Sequence, residues 1–150
     1  MLKRRQWRNI YLVYDSEERN HIIVEEEEPQ TGDAEKRKAQ RLRCILMMKK
    51  RIEKEIRDLC RECYIETKYF LTTALSTEAR VFYLKIIADT FRYLAQIEQG
   101  HTLMRLIEET DRRYEQAKIE AQSLDAANPL RLALGLNYSS FKYEIEQNFE

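Results

Sequence analysis

Three charged side chains, Lys85, Asp89 and Arg92, recur four and three residues apart within RVFYLKIIADTFRYLAQ, residues 80–96. At about 100° per residue, Asp89 lies about 40° to one side of Lys85 and Arg92 about 20° to the other, with Gln96 in the same line, so one helix edge carries them all. Leu84, Ile87, Ala88, Phe91, Leu94 and Ala95 cover a broad apolar side, and Phe82, Ile86 and Tyr93 flank the stripe opposite. A helix so apolar is buried around most of its circumference, which places the stripe in a concavity. Charges there are costly unless paired or used. Asp89 can answer Lys85 through the i,i+4 relation and Arg92 through i,i+3, and one positive charge is left over. A dianionic phosphate suits that excess, with a planar Arg fork and the Tyr93 hydroxyl beside it. A salt-bridge ladder on a solvated face is the plain alternative.

Other residues raise similar choices. Asn137 shares a stripe with Leu130, Ala133, Leu134 and Phe141, while Leu132, Leu136 and Tyr143 form a second apolar side. Its amide is either satisfied inside a core or clamps the main chain of an extended peptide through donor and acceptor together. Arg4 and Arg8 are one helical turn apart around Trp7. They make either a solvated basic helix end or a second guanidinium for the same phosphate. Cys60 and Cys63 have the C-x-x-C spacing, but there is no second pair, and His21 and His101 are distant in sequence. That spacing reads as a core-facing helical turn rather than a metal site. No nucleophile–base constellation is recognisable, so neither an enzyme nor a cofactor is expected.

The elements that must position these residues are helices. Trp7, Ile10, Tyr11 and Tyr14 have helical spacing over residues 2–14. Residues 15–35 read as a helix extension giving way to a loop at Pro29 and Gly32. A long helix follows from Asp33 or Ala34 to Thr73, with Leu42, Ile45, Leu46, Ile52, Ile56, Leu59, Cys63, Phe70 and Leu71 as its apolar stripe. Ser76 caps the next helix, Glu78 sits in its first turn, and Gly100 stops it after Gln99. A fourth helix over 102–124 turns Leu103, Leu106, Ile107, Tyr114, Ala117 and Ala121 inward. A fifth starts with Asn128 as N-cap and Pro129 at its first position and runs to Phe149. The reading is an all-α antiparallel array of about five helices in a single domain over residues 1–150.

Composition agrees. The chain has 150 residues, 43% of them hydrophobic and 35% charged, with only 3 Gly and 2 Pro. That is enough for one core and favours helices over strands. Formal net charge is zero, so no global attraction to nucleic acid is implied. Residues 36–54 hold nine Lys and Arg against the single acid Glu53. The run lacks interleaved aromatics for base stacking, so a solvated helix face is preferred to nucleic-acid binding. The glutamates at 25–28 read as a solvated helix end or loop. Three cysteines and no secretory signal point to reduced thiols in the cytoplasm. No apolar run is long enough for a membrane span.

RVFYLKIIADTFRYLAQ resembles the central signature of the 14-3-3 family, V-F-Y-L-K, then D, then R-Y-L-A. NPLRLALGLNYSSFKYEI resembles its second signature, and IEKEIRDLC (52–60) and RRQWR (4–8) resemble the family's flanking motifs. The resemblance implies an all-helical, usually dimeric, non-catalytic adaptor that binds phosphoserine or phosphothreonine peptides in an amphipathic groove. It implies that Arg4 and Arg92 grip the phosphate, that Tyr93 donates its hydroxyl, and that Lys85 lines the groove. Asp89 would orient the basic cluster, with Arg8 in support. Asn137 would hold the peptide backbone, with Leu136 on the apolar wall. The match covers about the third to the seventh of the family's usual nine helices. The usual dimer helices, the far groove wall and one phosphate-binding lysine are therefore expected to be absent. Ser140 replaces an apolar Val, and Thr90 and Phe91 replace a Tyr-Tyr pair. These departures imply weakened binding and an exposed apolar edge that a homo- or heterodimeric partner would cover. A helical scaffold that has lost phosphate dependence is the alternative.

Overall fold

The computed structural model describes the backbone of residues 32–149 and the side chains of residues 36–144. Among the described residues there are four helices and no strand: α1 Gly32–Thr73, α2 Thr77–Ala95, α3 Gly100–Ala121 and α4 Pro129–Phe149. The expected first helix, with Arg4, Trp7 and Arg8, lies outside the described residues, as do residues 15–31 of the divergent stretch. The all-α array read from periodicity is what the remainder adopts.

The chain divides into two compact units, Met1–Asp58 and Leu59–Glu150. In the described part of the first, α1 buries Ile56, which is 6% exposed. Arg51 donates Nε to Glu55 one turn on at 3.3 Å. Lys36, Arg41, Lys50, Arg51 and Lys54 of the basic run are exposed on this segment.

The second unit holds the core and the candidate site. Val81, Leu84 and Ala88 of α2, Tyr114, Ala117 and Ala121 of α3, and Leu134 and Phe141 of α4 form one buried cluster. Alanines at the centre of the cluster let α2, α3 and α4 approach closely while Leu84, Tyr114 and Phe141 fill the space between them. Tyr114 stacks on Tyr138 with ring centres 5.2 Å apart and tilts against Phe141 at 5.6 Å. The last turns of α1 pack Tyr64 edge-on to Phe91 and stack Phe70 on Tyr83. Cys60 and Thr67 are buried there, whereas Leu59 and Phe70, placed inside by the sequence stripe, are 52% and 47% exposed. The stripe drifts around a helix this long: of its members in this unit, Cys63 meets Thr90 of α2 at 3.6 Å and Leu71 packs against the core cluster.

Caps set the helix ends. Ser76 Oγ accepts from the Ala79 amide at 3.1 Å, so α2 begins where the sequence places it. It ends earlier than read. The helix stops at Ala95, because the Ile97 amide closes a tighter turn on the Leu94 carbonyl at 3.1 Å and Ile97 is buried. Gly100 is therefore not the stop of α2 but the first residue of α3, at φ +56°, a left-handed start that glycine takes without a Cβ penalty. α3 ends at Ala121, short of residue 124, where the Leu124 amide turns back to the Ala121 carbonyl at 3.1 Å. Asn128 Oδ1 accepts from the amides of Leu130 at 2.9 Å and Arg131 at 3.4 Å, so it caps α4 ahead of Pro129 as expected.

Candidate functional site: a charged stripe where three helices meet

Lys85, Asp89 and Arg92 project from α2 where α3 and α4 converge on it. Their side chains are 17%, 14% and 11% exposed, so the stripe is far from an open solvated face. Asp89 is the hub. Its Oδ2 accepts from Lys85 Nζ at 2.7 Å, and its Oδ1 accepts from the Tyr114 hydroxyl at 2.5 Å. Asn137 Nδ2 donates to both oxygens, at 2.9 and 3.0 Å. One carboxylate thus ties three helices together and satisfies every donor aimed at it.

Arg92 does not take Asp89. Its fork goes to Glu144 of α4, with Nε donating to Oε2 at 2.9 Å and Nη2 to Oε1 at 2.5 Å, while Nη1 reaches the Asn137 carbonyl at 3.4 Å. Gln96 Nε2 adds a bond to the same Glu144 oxygen at 3.2 Å. Burial by itself would weaken the Arg92 charge, but the hydrogen bonds and charge of Glu144 outweigh it, and its pKa rises. Burial also pushes the Tyr114 phenol up, helped by the Asp89 charge and hydrogen bond, so this hydroxyl stays a donor.

The positive excess inferred from α2 alone is thus balanced by Glu144, two cations facing two carboxylates. Glu144 was not singled out from the sequence. The signal available was its place seven residues after Asn137, two turns along the same face of α4. Asn137 spends its amide nitrogen on Asp89, and among the described residues its Oδ1 meets no donor. Tyr93 is half-buried beside Arg92 on α2, and Leu136 is 69% exposed beside Asn137 on α4. Arg4 and Arg8 lie outside the described residues. The structure thus brings Lys85, Asp89, Arg92 and Asn137 into one network and adds Tyr114 and Glu144 to it.

Such a network can hold an oxyanion, because the planar fork of Arg92 already grips a carboxylate through two parallel bonds. The family model described as 14-3-3 protein matches residues 2–150. The chain belongs to the 14-3-3 family. This 14-3-3 chain is 39% identical over 99 residues to 14-3-3 protein homolog 2 of Schistosoma mansoni, covering 65% of the chain and 46% of that protein. It is 33% identical over 130 residues to 14-3-3 protein theta of Mus musculus, covering 85% of the chain and 51% of that protein. It is 36% identical over 97 residues to 14-3-3 protein zeta of Bombyx mori, covering 63% of the chain and 39% of that protein. The chain spans about half the length of the curated relatives it matches, or less.

Elsewhere in this 14-3-3 fold, Cys60 and Cys63 are free thiols. Burial, then the neighbouring Cys63, pushes the Cys60 thiol up to about 11, which keeps it protonated. Cys63 Sγ lies 3.8 Å from the Thr67 hydroxyl and accepts from Thr90 at 3.6 Å, so the pair belongs to the α1–α2 contact. Among the described residues no three His, Cys, Asp or Glu side chains converge as metal ligands. No described helix is long and apolar enough to cross a membrane.

Proposed function

We propose that the chain is a non-catalytic, 14-3-3-type adaptor that binds phosphoserine or phosphothreonine peptides of partner proteins on the α2 stripe, acting in the cytoplasm as one partial 14-3-3-like domain over residues 1–150. The observation that carries this reading is the Arg92 fork, 11% exposed and already closed on the carboxylate of Glu144. A phosphate monoester offers the same pair of oxygens with more charge and can take that place. Lys85 lies two turns before Arg92 on the same edge, and Tyr93 is beside it. Asn137 keeps a carbonyl oxygen for a peptide amide, and exposed Leu136 offers apolar wall next to it. By family resemblance, Arg4 supplies a second guanidinium, with Arg8 in support. Free thiols at all three cysteines fit a reducing compartment. Pairing into a homo- or heterodimer belongs to the same proposal.

A phosphate-independent helical scaffold is the second reading. The closed balance of Lys85 and Arg92 against Asp89 and Glu144 favours it. Fluorescence anisotropy of a labelled Arg-x-x-phosphoSer-x-Pro peptide and its unphosphorylated twin separates the two. The adaptor reading expects a clear preference for the phosphorylated form. Arg92→Ala should weaken that form by about ten- to a hundredfold, as for loss of a charged hydrogen-bonding group. Equal binding of both peptides by folded protein would leave the scaffold reading.

A further inference from the structure

The side of α4 away from Asn137 carries a second set of cations. At about 100° per residue, Arg131, Leu134, Tyr138 and Lys142 lie about 60 to 140° round the helix from Asn137. With Lys118 and Ala121 of α3 they line an open cleft of about 630 Å3. The floor is apolar and closely packed, with Ala121 and Leu134 each 2% exposed. The rim is basic. Lys118 Nζ and Lys142 Nζ stand 5.9 and 5.3 Å from the centre of the Tyr138 ring, within cation–π range. Arg131 donates to the Leu124 carbonyl at 2.8 Å and makes no ion pair among the described residues.

The charge of the cleft does not close on itself. Lys142 pairs with Asp111, and Lys118 pairs with Glu115 at 3.1 Å. Those lysines are 48% and 55% exposed, and exposed pairs exchange partners at little cost. Among the described residues, three cations against two carboxylates leave the cleft positive. The cleft between Phe91, Arg105 and Arg112 differs, because the carboxylates of Glu108 and Glu109 stand in its own wall.

The spacing of the cations selects the ligand. Arg131 and Lys142 are separated by roughly 16 Å along α4, at about 1.5 Å of rise per residue. A single phosphate reaches one end only. An extended peptide covers that distance in about five residues, with alternate side chains on the same side. We propose that this cleft docks a short acidic, unphosphorylated segment of a partner protein. One carboxylate pairs with Arg131, another with Lys118 and Lys142, and an apolar side chain between them rests on Ala121 and Leu134. The surface is separate from the α2 stripe and stands whether or not the stripe binds phosphate.

The test is anisotropy of a dye-labelled, end-blocked Glu-Ser-Leu-Ser-Glu peptide, against a twin with Gln for both Glu, titrated with the full chain. The acidic peptide should bind at least fivefold more tightly than its twin. The double variant Lys118→Gln/Lys142→Gln, altered only at half-exposed positions, should erase that preference, and Arg105→Gln, which removes an exposed cation of the other cleft, should leave it unchanged. Equal affinity for the twin peptides, a preference that survives in the double lysine variant, or one that disappears in Arg105→Gln would each overturn the proposal.

Discussion

Asp89 accepts hydrogen bonds from its own helix through Lys85, from α3 through Tyr114 and from α4 through Asn137. Arg92, one turn later, is left to a carboxylate that arrives from far along the chain. This division gives the two acids different parts. Asp89 is a structural tie among three helices, whereas Glu144 occupies the guanidinium that we propose for phosphate. Its side chain is 32% exposed, so it can leave Arg92 for water more cheaply than Asp89 can leave its partners. Glu144→Gln keeps the shape and removes the competing charge. Affinity for the phosphorylated peptide should then rise about three- to tenfold in the same anisotropy titration, with the unphosphorylated twin unaffected. A fall in affinity would show that Glu144 holds the Arg92 fork ready for phosphate rather than competing for it.

At the scale of elements, short links and caps fix how the stripe is presented. The Arg80 fork on α2 closes on Glu120 of α3, with both bonds at 2.9 Å, and Asn128 Nδ2 reaches Glu78 at 3.1 Å, so the first turn of α2 is tied both to α3 and to the cap of α4. Ser76→Ala should lower stability by about 1 kcal/mol in urea unfolding, the usual cost of a lost N-cap. Gly100→Ala should cost about 1 kcal/mol as well. A Cβ there meets nothing within 4 Å, so the cost is the left-handed φ alone. A neutral Gly100→Ala would mean that α3 does not start in this conformation in solution. The cap signals at Ser76 and at Asn128-Pro129 were legible because capping is a local transaction between a side chain and amides two or three residues on. The early end of α2 was not legible. It depends on Ile97 being drawn into the core, which no neighbour in sequence dictates.

Over the whole molecule, titration links these contacts to stability. Burial works against the Asp111 carboxylate, but its hydrogen bonds from Lys142 and Tyr138 outweigh that and hold its pKa below the ordinary value. Glu109 is lowered in the same way, its burial being outweighed by Arg112 and Arg113. A depressed carboxylate contributes stability above its unfolded pKa and loses it as pH falls through the folded one. Urea midpoints should therefore be flat near neutrality and decline below about pH 4. Cys60 acts at the other end. Its folded pKa of about 11 exceeds the ordinary 9.0, so its contribution is full below pH 9.0 and is lost as pH rises towards 11. Cys60→Ala should make the fall of the urea midpoint between those limits shallower, the raised phenols of Tyr114 and Tyr138 keeping the rest of it. An unchanged alkaline slope would show that Cys60 ionises as freely in the folded chain as in the unfolded one.

The helical class, the caps of α2 and α4, and the placing of Lys85, Asp89 and Arg92 on one edge could be read along the chain, since all of these follow from spacing of a few residues at the helical period. Packing settled which of these side chains meet. Tyr114 is 25 residues from Asp89, Asn137 is 48 residues from it, and Glu144 is 52 residues from Arg92. Contacts over such distances are set by how the apolar faces of α2, α3 and α4 pack, and charge spacing along one helix contains no record of the acid that another helix delivers. The stripe therefore read as carrying spare positive charge, and packing supplied Glu144 to balance it.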